Sequence, residues 1–305
     1  MKFLPEGFLL NTQENISAIS SLDGLRRACA NGTVVEAIAG QCDTEHNLHV
    51  DFGFIKGIIP REKCALGIKD GSVKDIAIIA RVNKPVKFIV DEITEVDGEP
   101  VAFLDRVTVQ ESYMADYLKT LTVGDIIDAR VTHLESFGAF CDIGCGFSAL
   151  LPIDHISVSR IPHPNARLKP GDDIKVVVKT IDEQGRITLT LKELLGTWEE
   201  NAANFTVGET VSGIVRSVEP YGIFIELAPN LAGLAEHIPG ISVGQQASVY
   251  IKSIIPEKMK IKLVIVDAFD ANYPPKPQKY YYTGDHMDYF CYSPENSEKV
   301  VETIF

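Results

Sequence analysis

The chain is poor in cations. Its 305 residues carry 29 Lys and Arg against 42 Asp and Glu, a formal net charge of −13. Coating a nucleic acid by phosphate neutralisation needs the opposite balance, so that mode is excluded for the chain as a whole. Long apolar runs are also missing: no stretch approaches the roughly 20 residues needed to cross a bilayer. The amino end, Met1-Lys2-Phe3-Leu4-Pro5-Glu6, lacks a basic region followed by an apolar core, so no secretory signal is expected there. Tryptophan occurs once, at Trp198, and the six cysteines are scattered. Only Cys141 and Cys145 lie close together, and no second pair completes a zinc site. Free thiols in a reducing cytoplasm, with no metal and no cofactor, are the expectation. No glycine-rich loop ends in Gly-Lys-Ser/Thr and no His-Glu-x-x-His occurs, so nothing points to an enzyme.

What the chain has instead is a repeat. Val123-Gly124-Asp125, Phe137-Gly138-Ala139-Phe140 and Ala149-Leu150-Leu151 recur 84 residues later as Val207-Gly208-Glu209, Tyr221-Gly222-Ile223-Phe224 and Gly233-Leu234-Ala235. One offset running through three blocks marks a duplicated domain. Each copy carries a pair of aromatics, and flat rings on a β-surface serve as stacking platforms for single-stranded nucleic acid. Strand residues three apart point to opposite faces unless a turn intervenes, and Gly138 marks such a bend. The negative charge lies mostly elsewhere: residues 121–198 carry a net of −2 and residues 205–267 a net of −1. Binding by these copies is expected to lean on stacking, with modest phosphate attraction.

The first copy reads as five short strands. Ile126 to Leu134 and Gly138 to Gly144 come first, then a strand ending in Leu150-Leu151-Pro152. A long polar connection with Arg160, His163, Arg167 and Lys169 follows. Ile174–Ile181 and Ile187–Leu191 close the set around the hairpin turn Glu183-Gln184-Gly185. Five strands with one long connection between the third and fourth suit a small closed barrel of the oligonucleotide-binding (OB) kind. In the second copy Gly171 corresponds to Gly244, an offset of 73 instead of 84, so the connection is trimmed by eleven residues. The hairpin Ile255–Met259 is one residue longer, which places Lys260 opposite Arg186.

A degenerate third copy lies upstream. Gly32-Thr33-Val34-Val35-Glu36-Ala37, Val50-Asp51-Phe52-Gly53 and Gly57-Ile58-Ile59-Pro60 resemble the matching blocks, and Val86–Val90 and Val101–Leu104 flank the turn Asp97-Gly98. Where the later copies place aromatics, this one has His46-Asn47-Leu48-His49, an ordinary hairpin rather than a metal site. Gln110–Leu118 and Lys192–Asn201 are helix-compatible connectors, with Leu194, Leu195 and Trp198 at helical spacing and Trp198 expected against a barrel wall. The tail opens with the stiff segment Tyr273-Pro274-Pro275-Lys276-Pro277. A strand is expected at Tyr280-Tyr281-Tyr282, and a helix starting at Ser293-Pro294 with Ser293 as its cap.

Residues 121–192 resemble the RNA-binding domain named after bacterial ribosomal protein S-one. That family's pattern runs Val-Gly, Phe-Gly-Ala-Phe, an Asp-hydrophobic-Gly step, Gly-Leu-Leu, a loop with Arg, Leu-Lys-x-Gly-Asp and Ile-Asp-x-x-x-Arg before a hydroxyl-rich last strand. Residues 205–267 match its first half well and its second half loosely, and residues 27–106 match weakly. The whole chain resembles the short, three-copy members of the family. The resemblance implies RNA contacts at two aromatics, at a His on the third strand, and at an Asp and an Arg around the last hairpin. Carried over, these fall on Phe137, Phe140, Asp182 and Arg186, while Pro152 takes the His position. In the shortened copy they fall on Tyr221 and Phe224, with Glu236 at the His position and Lys260 in place of the Arg.

The expected fold is therefore mainly β, three tandem five-stranded OB barrels joined by short helices. An amino-terminal segment (1–26) precedes the degenerate barrel (27–106), a helical connector (107–120) and the best-matching barrel (121–192). A second helical connector (193–204), the shortened barrel (205–267) and a tail with a small hairpin and helix (268–305) follow. The expected function is non-enzymatic binding of single-stranded RNA, messenger RNA included, which the resemblance links to translation on the small ribosomal subunit. Bases would stack on Phe137 and Phe140, with Arg160, Arg167, Lys169 and Arg186 holding phosphates, and Tyr221, Phe224 and Lys260 would form a second site. No membrane partner and no small-molecule cofactor are expected. The alternative is an adaptor whose barrels bind protein, which the acidic balance and the degenerate first copy favour.

Overall fold

The computed structural model describes residues 3–271 and 278–305, so the stiff segment expected at Tyr273–Pro277 lies outside the described residues. Two helices open the chain: α1 (Gln13–Ile19) and α2 (Leu22–Asn31). Thr12 and Ser21 cap them, their side chains accepting the N–H of Asn15 and Gly24, which satisfies donors that the first turn leaves open. The first sheet follows: β1 (Val35–Cys42), β2 (Leu48–Asp51), β3 (Lys56–Ile59), β4 (Pro85–Val96) and β5 (Glu99–Asp105), with the short α3 (Ile76–Ile79) between β3 and β4. It closes into a barrel in the order β1-β2-β3-β5-β4, parallel only between β3 and β5. Asp97 and Gly98, both at positive φ, make the tight turn between β4 and β5, as hairpin twist demands. Helix α4 (Val107–Asp116) is the first connector and starts three residues before Gln110.

The middle sheet has β6 (Ile126–Glu135), β7 (Gly138–Asp142), β8 (Ser148–Pro152), β9 (Asp173–Ile181) and β10 (Ile187–Thr190). Its order, β6-β7-β8-β10-β9, repeats that of the first barrel, and β9 pairs antiparallel with both β6 and β10. The second connector is not one helix. A 3₁₀ turn at Lys192–Leu195 stops at Gly196, which has φ +86°, and α5 (Trp198–Ala202) restarts behind a capping box of Thr197 and Glu200. Trp198 is buried in the core of the next barrel, as expected. That barrel is β11 (Thr210–Glu219), β12 (Gly222–Ala228), β13 (Leu231–Ala235), β14 (Gln246–Ile255) and β15 (Lys260–Phe269), closed in the order β11-β12-β13-β15-β14.

The tail departs from expectation. Tyr280–Tyr282 form no strand; the Tyr281 N–H donates to the Leu194 carbonyl, and the Tyr280 hydroxyl accepts the Lys175 N–H. A two-stranded sheet, β16 (Tyr289–Cys291) and β17 (Glu302–Ile304), follows. No helix starts at Ser293. Its hydroxyl accepts the N–H of Val301, eight residues on, and so ties the base of the β16–β17 loop.

Two compact units result: residues 1–121 with 142–148, and residues 122–141 with 149–305. The first unit contains a buried ion cluster. Glu6 accepts from Arg106 Nε at 2.9 Å and Arg81 Nη1 at 2.8 Å, and its N–H donates to Asp142 Oδ2 at 2.8 Å. Asp142 Oδ1 also takes the N–H groups of Gly144 and Gly146. Burial raises the Asp142 pKa to about 6, helped by the Glu6 charge beside it. Burial pushes Glu6 the same way, but Arg106 and Arg81 prevail and hold its carboxyl below the ordinary value.

Candidate nucleic-acid interface

In the middle sheet Phe137 lies in the β6–β7 turn and Phe140 on β7. The turn brings both rings to the outer face, edge to face at 6.0 Å and 86°, and Phe137 is 53% exposed. Gly138 permits this. A Cβ there would meet the Leu151 carbonyl oxygen at 2.5 Å, so any other residue would push β7 off β8. The third barrel repeats the arrangement. Tyr221 and Phe224 stand at 6.2 Å and 85°, Tyr221 is 71% exposed, and a Cβ on Gly222 would meet the Ala235 carbonyl at 2.6 Å. The structure thus brings together each aromatic pair expected from the repeat.

Strand register extends each pair into a row. In the third barrel Ser217, Phe224, Leu234 and Lys262 are successive cross-strand partners on β11, β12, β13 and β15. The 84-residue offset gives His133, Phe140 and Leu150 in the middle sheet, and Thr188, the direct partner of Leu150, completes the row. Arg186 and Lys260 each stand two residues before the last member of their row, so the register makes them equivalent. In the first barrel the row is Gln41, His49, Ile58 and Phe103. His46 and His49 therefore occupy the places of Phe137 and Phe140. His49 is engaged: its Nε2 lies 2.9 Å from Asp43 Oδ2. Although partial burial works to raise the Asp43 pKa, hydrogen bonds from His49, Asn47 and Glu45 hold it down to about 2.

The polar residues sort unevenly. Asp182 organises the β9–β10 hairpin by accepting the N–H groups of Gln184 and Arg186, and pairs with Arg186 Nε at 2.6 Å. Those bonds from Arg186 keep the Asp182 carboxyl below its ordinary range. Arg186 itself stays largely exposed. Arg160 and Lys169 are exposed on the long connection, and Lys169 lies 3.9 Å from Asp172. Arg167 is a correction to the expected set. It is only 6% exposed and is ion-paired with Glu226, which also takes Arg216 Nε at 2.7 Å. A buried guanidinium already committed to a carboxylate does not face a phosphate.

His133 is a residue that the sequence pattern did not single out. Its ring lies parallel to Phe140, 4.4 Å between centroids and 10° between planes. Strict alternation from Val131 would point it into the core. Instead Val131 is buried and His133 exposed, and the matching strand β11 shifts register between Val215 and Ser217. By the 84-residue offset that break corresponds to Val131–His133, and a break of this kind turns a side chain outward, which alternation alone does not signal.

Gly240-Ile241-Ser242-Val243-Gly244 matches by letter the serine elbow of α/β-hydrolases, which needs a strand–turn–helix setting. Here the segment is a loop leading into β14, with the Ser242 N–H bonded to Gln245 Oε1. Among the described residues no group of His, Cys, Asp and Glu is placed to hold a metal, and no helix is long and apolar enough to cross a membrane.

Comparison with known proteins adds a family. The model of the S1 RNA binding domain matches residues 120–192. The small ribosomal subunit protein bS1 of Leuconostoc lactis is 31% identical over 213 residues, 68% of this chain and 46% of its own length. The bS1 protein of Staphylococcus aureus (strain COL) is 28% identical over 275 residues, 85% of this chain and 68% of its own. The chain thus spans from about half to two thirds of the length of the curated relatives it matches. The solution structure of GSP13 from Bacillus subtilis is 28% identical and covers 24% of this chain and 57% of its own, with a TM-score of 0.23. The ring pairs, the strand order and the match at residues 120–192 agree: this chain carries an S1 RNA binding domain there and is similar over most of its length to the bS1 proteins.

Proposed function

We propose that this chain is a non-enzymatic protein that binds single-stranded RNA, messenger RNA included, through three OB-type barrels in tandem, and acts in translation at the small ribosomal subunit in the cytoplasm. The observation that carries this is the exposed edge-to-face ring pair, Phe137 with Phe140, repeated in the same geometry by Tyr221 with Phe224. The bS1 relatives support the ribosomal setting. The middle barrel (121–192) is the stronger binder, with bases on its rings and phosphates near Arg186, Arg160 and Lys169. Tyr221, Phe224 and Lys260 make the second face. Ring faces accept any base, so sequence preference is weak.

The test is fluorescence anisotropy of a labelled, unstructured RNA of about 20 nucleotides, a length that one or two OB barrels cover. Wild type runs beside the double change Phe137→Ala, Phe140→Ala. Micromolar or tighter binding, lost in a folded double variant, is the expected result. A second reading, a protein-binding adaptor, is favoured by the first barrel, where His49 is tied to Asp43 and takes a stacking ring's place. No binding by wild type, or binding indifferent to the double change, would overturn RNA stacking on the middle barrel and favour that reading.

A further inference from the structure

We infer that His133 is itself a base-stacking residue, so that the middle barrel presents three rings to RNA where the third barrel presents two. The inference rests on the RNA-binding reading above. Phe140 has two ring neighbours: the imidazole of His133 lies parallel to it at 4.4 Å, and Phe137 lies at 6.0 Å and 86°. A base joining this column from the β6 side meets the outer face of His133 before it meets Phe140. His133 is exposed and belongs to the last, outward-turned stretch of β6. It does not carry the strand's local hydrogen bonding; the Thr132 hydroxyl donates to the Phe140 carbonyl at 3.0 Å and lies 3.3 Å from His133 Nδ1. The imidazole is therefore oriented by a neighbour while the residue stays exposed.

The third barrel supplies the internal comparison. Its register places Ser217 opposite Phe224, where His133 meets Phe140. The two faces share the edge-to-face pair and differ in this third ring. The ligand class is a nucleobase of unstructured RNA, the contact is ring on ring, and the difference makes the middle barrel the tighter of the two.

The experiment uses the full chain and a labelled, unstructured RNA of about 20 nucleotides. Three variants are compared by anisotropy: His133→Ser, which installs the third barrel's residue, His133→Phe, which keeps a ring, and the double change Phe137→Ala, Phe140→Ala. The expected result is a loss of about fivefold or more for His133→Ser, the lower end of what one stacked base carries, with binding by His133→Phe near wild type. Proton NMR adds a readout that a structural role would not move. The carbon-bound ring protons of His133, assigned by their absence in His133→Phe, shift upfield when RNA stacks on the imidazole. Unchanged affinity in His133→Ser with no upfield shift, while the double variant loses binding, overturns this inference and leaves the broader reading standing. No binding by wild type overturns both.

Discussion

Glu226 on β12 holds two guanidinium groups at once, Arg167 from the long connection of the middle sheet and Arg216 from β11. All three side chains are nearly inaccessible, so each charge depends on the others rather than on water. Arg167 meets Glu226 through Nη2, while its Nε and Gln278 Oε1 are buried without a hydrogen-bond partner among the described residues. Truncating the shared carboxylate leaves two buried cations unpaired. Glu226→Ala is therefore expected to destabilise the second unit by about 3–5 kcal/mol, read as a lowered urea midpoint. Arg167→Ala, by contrast, should leave the RNA affinity of the folded protein unchanged in the anisotropy measurement. A loss of affinity with a shallower salt slope in that variant would return Arg167 to the binding face. Surface pairs such as Arg186 with Asp182 contribute little to stability, so Arg186 remains available as a contact.

At the scale of the strand, the two repeats use one frame for different physics. The middle sheet ends its outward row in Thr188, with Arg186 two residues earlier, while β15 presents Lys260 and Lys262, both exposed. Rings dominate the first face and point charges the second. Each phosphate contact on a single strand contributes about 0.7 to the slope of log affinity against log salt. The double change Lys260→Ala, Lys262→Ala should therefore make that slope shallower by up to about 1.4, while Phe137→Ala, Phe140→Ala lowers affinity with little change in slope. Equal slopes in wild type and the lysine variant would remove the third barrel from the phosphate path. The ring geometry has its own dependence on the strand. Gly138→Ala places a methyl against the Leu151 carbonyl, and overpacking of this kind costs about 1–3 kcal/mol.

For the molecule as a whole, stability depends on pH through a buried carboxylate of the first unit. Asp142 belongs to the first unit, and its pKa rises from an ordinary 3.8 to about 6 on folding. The folded state thus holds this proton more tightly than the unfolded chain does. The stability it contributes is complete below about 3.8 and is lost as pH rises through about 6. Melting the full chain and its Asp142→Asn variant from pH 4 to pH 7 should show wild type losing ground relative to the variant as pH rises. A constant difference across that range would mean that Asp142 does not titrate there. The charge of −13 is likewise a property of the whole chain, and the two repeats near neutrality are spared most of it.

The repeat, the strand content and the aromatic pairs were legible in the sequence because each is a local pattern. One offset aligns Phe137 with Tyr221 and Phe140 with Phe224, strand alternation shows within a few residues, and Asp97-Gly98 announces its own turn. The amino-terminal helices were less legible, since α1 is only seven residues long and α2 carries its cap and three buried positions rather than a long apolar stripe. Tertiary structure alone decided the rest. Arg167 and Glu226 are 59 residues apart, and no spacing rule connects a loop cation to a strand acid in the next barrel. His133 is exposed, against the alternation of its own strand. Ser293 found Val301 rather than a first helical turn. Patterns within a strand are set by backbone geometry and can be read in order, whereas burial, charge pairing and ring contact depend on which strands meet across the barrel.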